Sequence, residues 1–310
     1  MDFSIINLFM FLIILSQSTV AEEWNYSDQG PDVWSDSYPA CAGRSQSPID
    51  VDTQTTEYIE FTKFRFTSAY NVTQNFTLAN TGHTILGEYI DNDTSAIAFQ
   101  GGGLYGTYEF VNFHLHWGEN YKSGSEHQVN GNKFTAELHL VHRHTVTNQL
   151  AVLGIFIQSV KNINTTHVRR RKRDTSITEN STLTNWENYL AQSGKLTKID
   201  DTMALSLNLA SLFPENTENY WRYSGSLTVP PCTEGVIWTL FKDSIVLEDS
   251  YFLYLRDHIF AKDFRGPQPI YGRKVYRSFP REDPISAAHS IFSFKTYFYI
   301  LFIYLYVYVY

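Results

Sequence analysis

No stretch of this 310-residue chain supplies the about 20 uninterrupted apolar residues that a helix needs to cross a bilayer; the longest, residues 297–310, has 14. Positive charge is the minority: 24 Lys and Arg against 32 Asp and Glu leave a formal net charge of −8, which argues against nucleic acid as a partner. Cysteine occurs only at Cys41 and Cys232, so at most one intramolecular bridge is available. No internal repeat is visible, which excludes solenoid and propeller arrays. What is present is a 43% hydrophobic chain, long enough to bury a full core in one large domain once its ends are trimmed.

Those ends look processed. Residues 5–15 form a short apolar run followed by Thr19-Val20-Ala21, the small-residue spacing that suits signal peptidase, although the segment before the run carries Asp2 and no Lys or Arg. The expectation is a signal peptide over 1–21, cleaved after Ala21, with an uncleaved anchor as the alternative. Residues 283–310 carry Ser286-Ala287-Ala288, a spacer, and the terminal apolar run, the three parts of a glycolipid (GPI) anchor signal with Ser286 as the attachment candidate. The alternative there is a single membrane span. Asn-x-Ser/Thr sequons at Asn25, Asn71, Asn75, Asn92, Asn164 and Asn180 fit a secreted compartment, with Asn25 the exception because it adjoins Tyr26.

Between the ends, residues 22–282 read as short strands with turn signals between them, at 60–67, 108–117, 133–142, 150–157 and 235–241, with helical spacing confined to 184–191 and 250–260. The expected fold is mixed α/β but β-dominated, a single domain around a large, mostly antiparallel central sheet with short peripheral helices. In the second helix Tyr251, Leu255 and His258 have the spacing of one face. The polar stretch at about 160–183 includes Arg169, Arg170, Arg171, Lys172 and Arg173 and reads as a surface insertion: a solvated loop, or in a secreted chain a convertase site after Arg173. If it is cut, a Cys41 to Cys232 bond would keep the two pieces together.

The chemistry concentrates in Phe113-His114-Leu115-His116-Trp117. A strand alternates faces, so His114 and His116 aim at one point. The run Ala136-Glu137-Leu138-His139-Leu140-Val141-His142 offers a further imidazole, with Glu137, His139 and Val141 on one face. Three neutral imidazoles with an open fourth position make a catalytic rather than a structural zinc site.

With Gln46-Ser47-Pro48-Ile49-Asp50, Gly82-His83, Gly124-Ser125-Glu126-His127, Leu150-Ala151-Val152-Leu153-Gly154 and Gly225-Ser226-Leu227-Thr228-Val229-Pro230-Pro231 in the same order, the chain from Trp24 to about Phe279 closely resembles the alpha-class carbonic anhydrases. The resemblance implies Zn2+ on His114, His116 and His139, and attack of zinc-bound hydroxide on carbon dioxide to give bicarbonate and a proton. It implies a gatekeeper pair in which the Thr228 hydroxyl donates to Glu126, and a proton shuttle at His83 served by water ordered by Tyr26, Asn80 and Thr81. It places Glu137 and Asn112 behind the zinc histidines, and Val141, Val152, Leu227, Val236 and Trp238 on the apolar wall that receives carbon dioxide. It also pairs Cys41 with Cys232, as in extracellular members. Asn112 stands where many relatives carry glutamine, so its bond to His114 is expected to be long or bridged by water. Thr81, Thr84 and Leu86 also depart from the family pattern, which suggests slower shuttling. The implied setting is the outer face of the cell membrane, by lipid anchor or span. The rival reading is a silent carbonic-anhydrase-like surface adhesion module, against which stands the presence of all the metal and gatekeeper residues.

Overall fold

The computed structural model describes residues 24–91, 96–160, 178–260 and 262–281. Residues 1–21, Asn92, Asn164, the basic run at 169–173, and the tail with Ser286 therefore lie outside the described residues. Among the described residues no helix is long and apolar enough to cross a membrane.

The strands are β1 (Asp50–Val51), β2 (Glu57–Tyr58), β3 (Arg65–Phe66), β4 (Gln74–Asn80), β5 (Ile85–Tyr89), β6 (Ala98–Gly101), β7 (Leu104–Trp117), β8 (Gln128–Val129), β9 (Ala136–His144), β10 (Leu150–Val160), β11 (Thr202–Leu207), β12 (Tyr220–Ser226), β13 (Glu234–Phe241), β14 (Ile245–Glu248) and β15 (Tyr276–Arg277). A 13-stranded sheet runs in the order β11-β4-β5-β7-β9-β10-β13-β12-β15-β2, with the remaining members pairing off that path. Most pairings are antiparallel; β10 with β13, β10 with β14, and β15 with β2 are parallel, so the sheet is mixed. The strand expected at 60–67 is not formed as one element. Phe61, Phe64 and Phe66 do pack on the core, but only Arg65–Phe66 finds a neighbouring strand, β6.

Alternation along β7 and β9 sorts the side chains to two faces. Phe113, Leu115, Trp117, Leu138 and Leu140 enter the larger core, which continues under helix α1 (Trp34–Ser37 being a separate single turn, α1 is Thr178–Ser193) through Trp186, Tyr189 and Leu190. Helix α2 (Ser250–His258) closes the same core with Phe252 and Leu255, while His258 is exposed. The buried face of α2 is thus Phe252 and Leu255 with Tyr251 partly buried beside them, and His258 does not belong to it. On the opposite sheet face, Val141, Val152, Tyr223, Val236 and Trp238 form a smaller core beside the histidines. Cys41 and Cys232 are bonded, joining segments 191 residues apart. A closed loop of that length is worth on the order of 5 kcal/mol in the chain-entropy model, an upper figure.

His142 illustrates what the larger core does to a polar group. It is fully buried, its Nε2 meets the Tyr70 hydroxyl and its Nδ1 donates to Leu140 O at 3.1 Å, and Phe99 and Phe110 flank the ring. Burial pushes its pKa down to about 3. An unfolded histidine titrates near 6.5, so between those values the unfolded chain binds a proton that the native chain refuses, and stability falls as pH drops through the window. At pH 5 the loss from this residue is about 2 kcal/mol relative to pH 7. Guanidinium unfolding at the two pH values should show at least that difference, and His142→Asn should remove about 2 kcal/mol of it.

Candidate metal centre

Strand register brings the histidines together: His114 of β7 lies directly opposite His139 of β9, and His116 lies opposite Glu137. Each imidazole has one ring nitrogen on an oxygen. His114 Nδ1 donates to Asn112 Oδ1 at 3.2 Å, His116 Nδ1 to the backbone oxygen of Asp263 at 2.6 Å, and His139 Nε2 to Glu137 Oε1 at 2.8 Å. Such bonds fix the tautomer, leaving the other nitrogen unprotonated. One ligand nitrogen from each of the three residues then lies within 4.8 Å of the others. His116 Nε2 is buried and has no hydrogen-bond partner, a costly arrangement for a polar atom unless a cation occupies the point it faces. Burial, then repulsion from His116 and His139, pushes the pKa of His114 well down, and burial pushes that of His116 down too. Neutral nitrogen donors on a tripod suit zinc.

Residues 29–279 match the eukaryotic-type carbonic anhydrases. The chain is 32% identical to carbonic anhydrase 3 of Sus scrofa over 283 residues, spanning 84% of this chain and all of that protein. It is 31% identical to carbonic anhydrase 1 of Mus musculus over 279 residues, spanning 83% of this chain and 98% of that one. The chain belongs to the eukaryotic-type carbonic anhydrase family. Its β-dominated single domain is the fold that membership calls for, and zinc is the metal that family uses.

Behind the tripod of this family member runs a buried hydrogen-bonded string. Glu137 Oε1 also accepts from His127 Nδ1 at 2.6 Å, and Glu137 Oε2 accepts from His127 N at 2.8 Å. His127 Nε2 meets the Tyr223 hydroxyl at 2.6 Å, which in turn meets Ser47 Oγ at 2.7 Å. Ser226 N donates to Ser47 Oγ at 3.0 Å, so the string ends on the segment that carries Leu227 and Thr228. Burial works against ionisation of Glu137, but His127 and His139 outweigh it and hold the carboxyl well below its usual range. His127, Glu137 and His139 also lie close enough together for a metal, yet the atoms that face one another there are already bonded.

Other expected residues divide. Val141, Val152, Val236 and Trp238 are buried in the smaller core with Leu227 packed against it, forming an apolar wall on the histidine side of the sheet. Thr228 is buried nearby, but the bond expected from its hydroxyl to Glu126 is not formed. Glu126 Oε1 accepts from Arg265 N at 2.9 Å, while Oε2 has no hydrogen-bond partner and turns toward the imidazoles, 3.5 Å from His116 Nε2. With His116 Nε2 unprotonated, the two atoms face each other as acceptors, an arrangement that a cation at the tripod would relieve.

The shuttle region is likewise mixed. His83 is half-buried and stacks on Trp24, ring centroids 3.8 Å apart and planes 12° from parallel. Gly82 precedes it at φ +83°, a conformation that favours glycine. Asn80, expected to order water, is instead buried: its Nδ2 donates to Leu196 O at 2.9 Å and its Oδ1 accepts from Gly82 N at 2.9 Å. The Thr81 hydroxyl closes the same turn by donating to Thr84 O at 3.1 Å. Tyr26 keeps a buried hydroxyl with no partner, and burial followed by the charges of Glu126 and Asp263 raises its pKa well above the usual value.

Sequence reasoning missed Asp263 and Arg265. They lie in a segment without strand or helix periodicity, and His116 and Asp263 are 147 positions apart. Apart from holding Glu126 through its backbone, Arg265 donates from its side chain to Gln46 Oε1 at 2.8 Å, Ser47 O at 2.9 Å and Cys41 O at 2.9 Å.

Proposed function

We propose that the chain reversibly hydrates carbon dioxide to bicarbonate and a proton, with zinc held by His114, His116 and His139, at the outer face of the cell membrane. The observation that carries the reaction is the tripod itself: each ring has one nitrogen committed to an oxygen and presents the other to a common point. His114, His116 and His139 would hold zinc, which when bound would supply a nucleophile near neutral pH by lowering the pKa of a coordinated water to about 7.

The chain's own residues do the rest. Val141, Val152, Leu227, Val236 and Trp238 exclude water from one side of the centre and offer carbon dioxide an apolar surface. The Thr228 hydroxyl orients the nucleophile by donating to Glu126, a contact that requires Glu126 Oε2 to turn from the imidazoles toward the threonine. His83 accepts the released proton and passes it to buffer, because imidazole titrates close to neutrality. Tyr26 and Thr81 flank the path it uses.

Location rests on the sequence. A signal peptide over 1–21 and a lipid anchor at Ser286 would put the domain outside the cell, and the Cys41–Cys232 bond suits an oxidising compartment. Glycans fit Asn71 and Asn75, which are exposed, and are further proposed at Asn92, Asn164 and Asn180. Asn25 is a poor acceptor. Its Nδ2 donates to Asp28 Oδ1 at 2.7 Å, and its Oδ1 accepts from Ser27 N at 2.7 Å.

Stopped-flow hydration of carbon dioxide by the purified chain, with zinc counted, tests the activity. Rapid turnover with about one zinc per chain, lost on chelation, is expected on the tripod chemistry. A zinc-loaded chain without turnover would point to a silent surface module. His83→Ala is expected to lower the maximal rate by about 10-fold or more in weak buffer and to recover with imidazole; an unchanged rate means that the proton leaves by another route. Release from cells by a phosphatidylinositol-specific phospholipase tests the lipid anchor, and retention in membranes favours the single span.

A further inference from the structure

Asp263 makes three bonds to two consecutive residues of β7. Its N–H donates to Trp117 O at 3.2 Å, its Oδ1 accepts from Trp117 N at 2.6 Å, and its backbone oxygen accepts from His116 Nδ1 at 2.6 Å. The residue is fully buried. The N–H and the carbonyl belong to different peptide units, one bonded to Trp117 O and the other to His116 Nδ1. The side-chain bond to Trp117 N is a third fixed point on the same strand, at the Cα that joins the two units, and so bears on the direction of the carbonyl that holds His116. The segment 262–270 forms no helix or strand; its other anchors start two residues on, at Arg265, which is bonded to Glu126, Gln46, Ser47 and Cys41, and the nearest further bond to β7 is Trp117 Nε1 to Phe260 O at 2.8 Å.

We propose that the Asp263 side chain is a positioning element for His116, locking the ring so that Nε2 faces the metal. The inference rests on the zinc reading above. It assigns a function to a side chain that touches neither metal nor substrate, in distinction to the backbone oxygen beside it. What the position needs is an acceptor of this length, since among the described residues no ion pair includes Asp263. Asparagine would keep the acceptor, and alanine would remove it.

The test is the rate at which zinc leaves the loaded full-length protein for a chromophoric chelator. Asp263→Ala should release zinc about 10-fold faster, the low end of the scale for losing a partner of a metal-bound histidine, because the backbone oxygen remains but is no longer held in place. Asp263→Asn should stay within about 3-fold of the parent, because its amide oxygen can still accept from Trp117 N. Leu247→Ala, a truncation in the larger core, controls for lost stability and should leave release unchanged. An alanine variant that is folded and keeps parental release overturns the proposal. So does an asparagine variant that loses zinc 10-fold faster, and that variant decides the matter if alanine does not fold. A parent protein that takes up no zinc overturns the zinc reading and this inference with it; a zinc-binding parent with an unaffected alanine variant overturns the inference alone.

Discussion

His116→Ala is expected to strip the chain of zinc and to reduce carbon dioxide hydration to the rate of buffer. Two imidazoles would remain, below the three protein ligands typical of a catalytic zinc site. The loss also leaves the buried Asp263 backbone oxygen without its donor. Metal content by atomic absorption and turnover by stopped flow should fall together. A variant with one zinc per chain and parental turnover would remove His116 from the metal centre. His142→Asn provides the contrast: it lies on the far face of β9, in the larger-core environment, and is expected to keep zinc.

Glu137→Ala is expected to have the next largest effect, and it acts on stability and metal at once. The carboxylate accepts from His139 Nε2, His127 Nδ1 and His127 N, all buried. Removing it strands those donors and breaks the string that runs through Tyr223 to Ser47. Breaking a buried charge-assisted network of this kind costs about 3–5 kcal/mol. Zinc affinity should drop a further 10- to 100-fold, about what loss of a ligand's hydrogen-bond partner produces. Glu137→Gln separates the effects. It fills the same space and keeps one acceptor, so it should recover part of the stability while still forcing a wrong tautomer on His127 or His139. Denaturant midpoints and chelator competition measure the two quantities independently. A Glu137→Ala variant as stable as the parent would mean that the string carries no stability.

What could be read from the sequence follows from how local the information is. His114, His116, Asn112, Glu137 and His139 sit on two strands, where a period of two decides which side chains share a face. The lateral partner that completes the centre is not local. Asp263 reaches His116 from an irregular segment, and no periodicity marks a residue whose task depends on its backbone oxygen. The same limit explains the false strand at 60–67, where aromatic content indicates burial correctly but cannot say whether another strand lies alongside. In α2 the spacing identifies Leu255 and the partly buried Tyr251 but not Phe252, and it includes His258, which is exposed, because only packing separates residues of similar character one position apart. By resemblance Asn80 is expected to order water. Its side chain is instead taken up by Leu196 O and Gly82 N, which neighbours distant in sequence decide.

The outermost member of the large sheet on one side, β2, is only two residues long. An open sheet edge is a template on which another chain can hydrogen-bond, and a long flat edge invites amyloid-like growth. Two residues present too few free backbone groups to hold a foreign strand against its loss of conformational freedom. A protein with this much β-structure can therefore be concentrated without zipping to its neighbours along that border, and lengthening β2 by substitution of the flanking turns would be a direct way to make it self-associate.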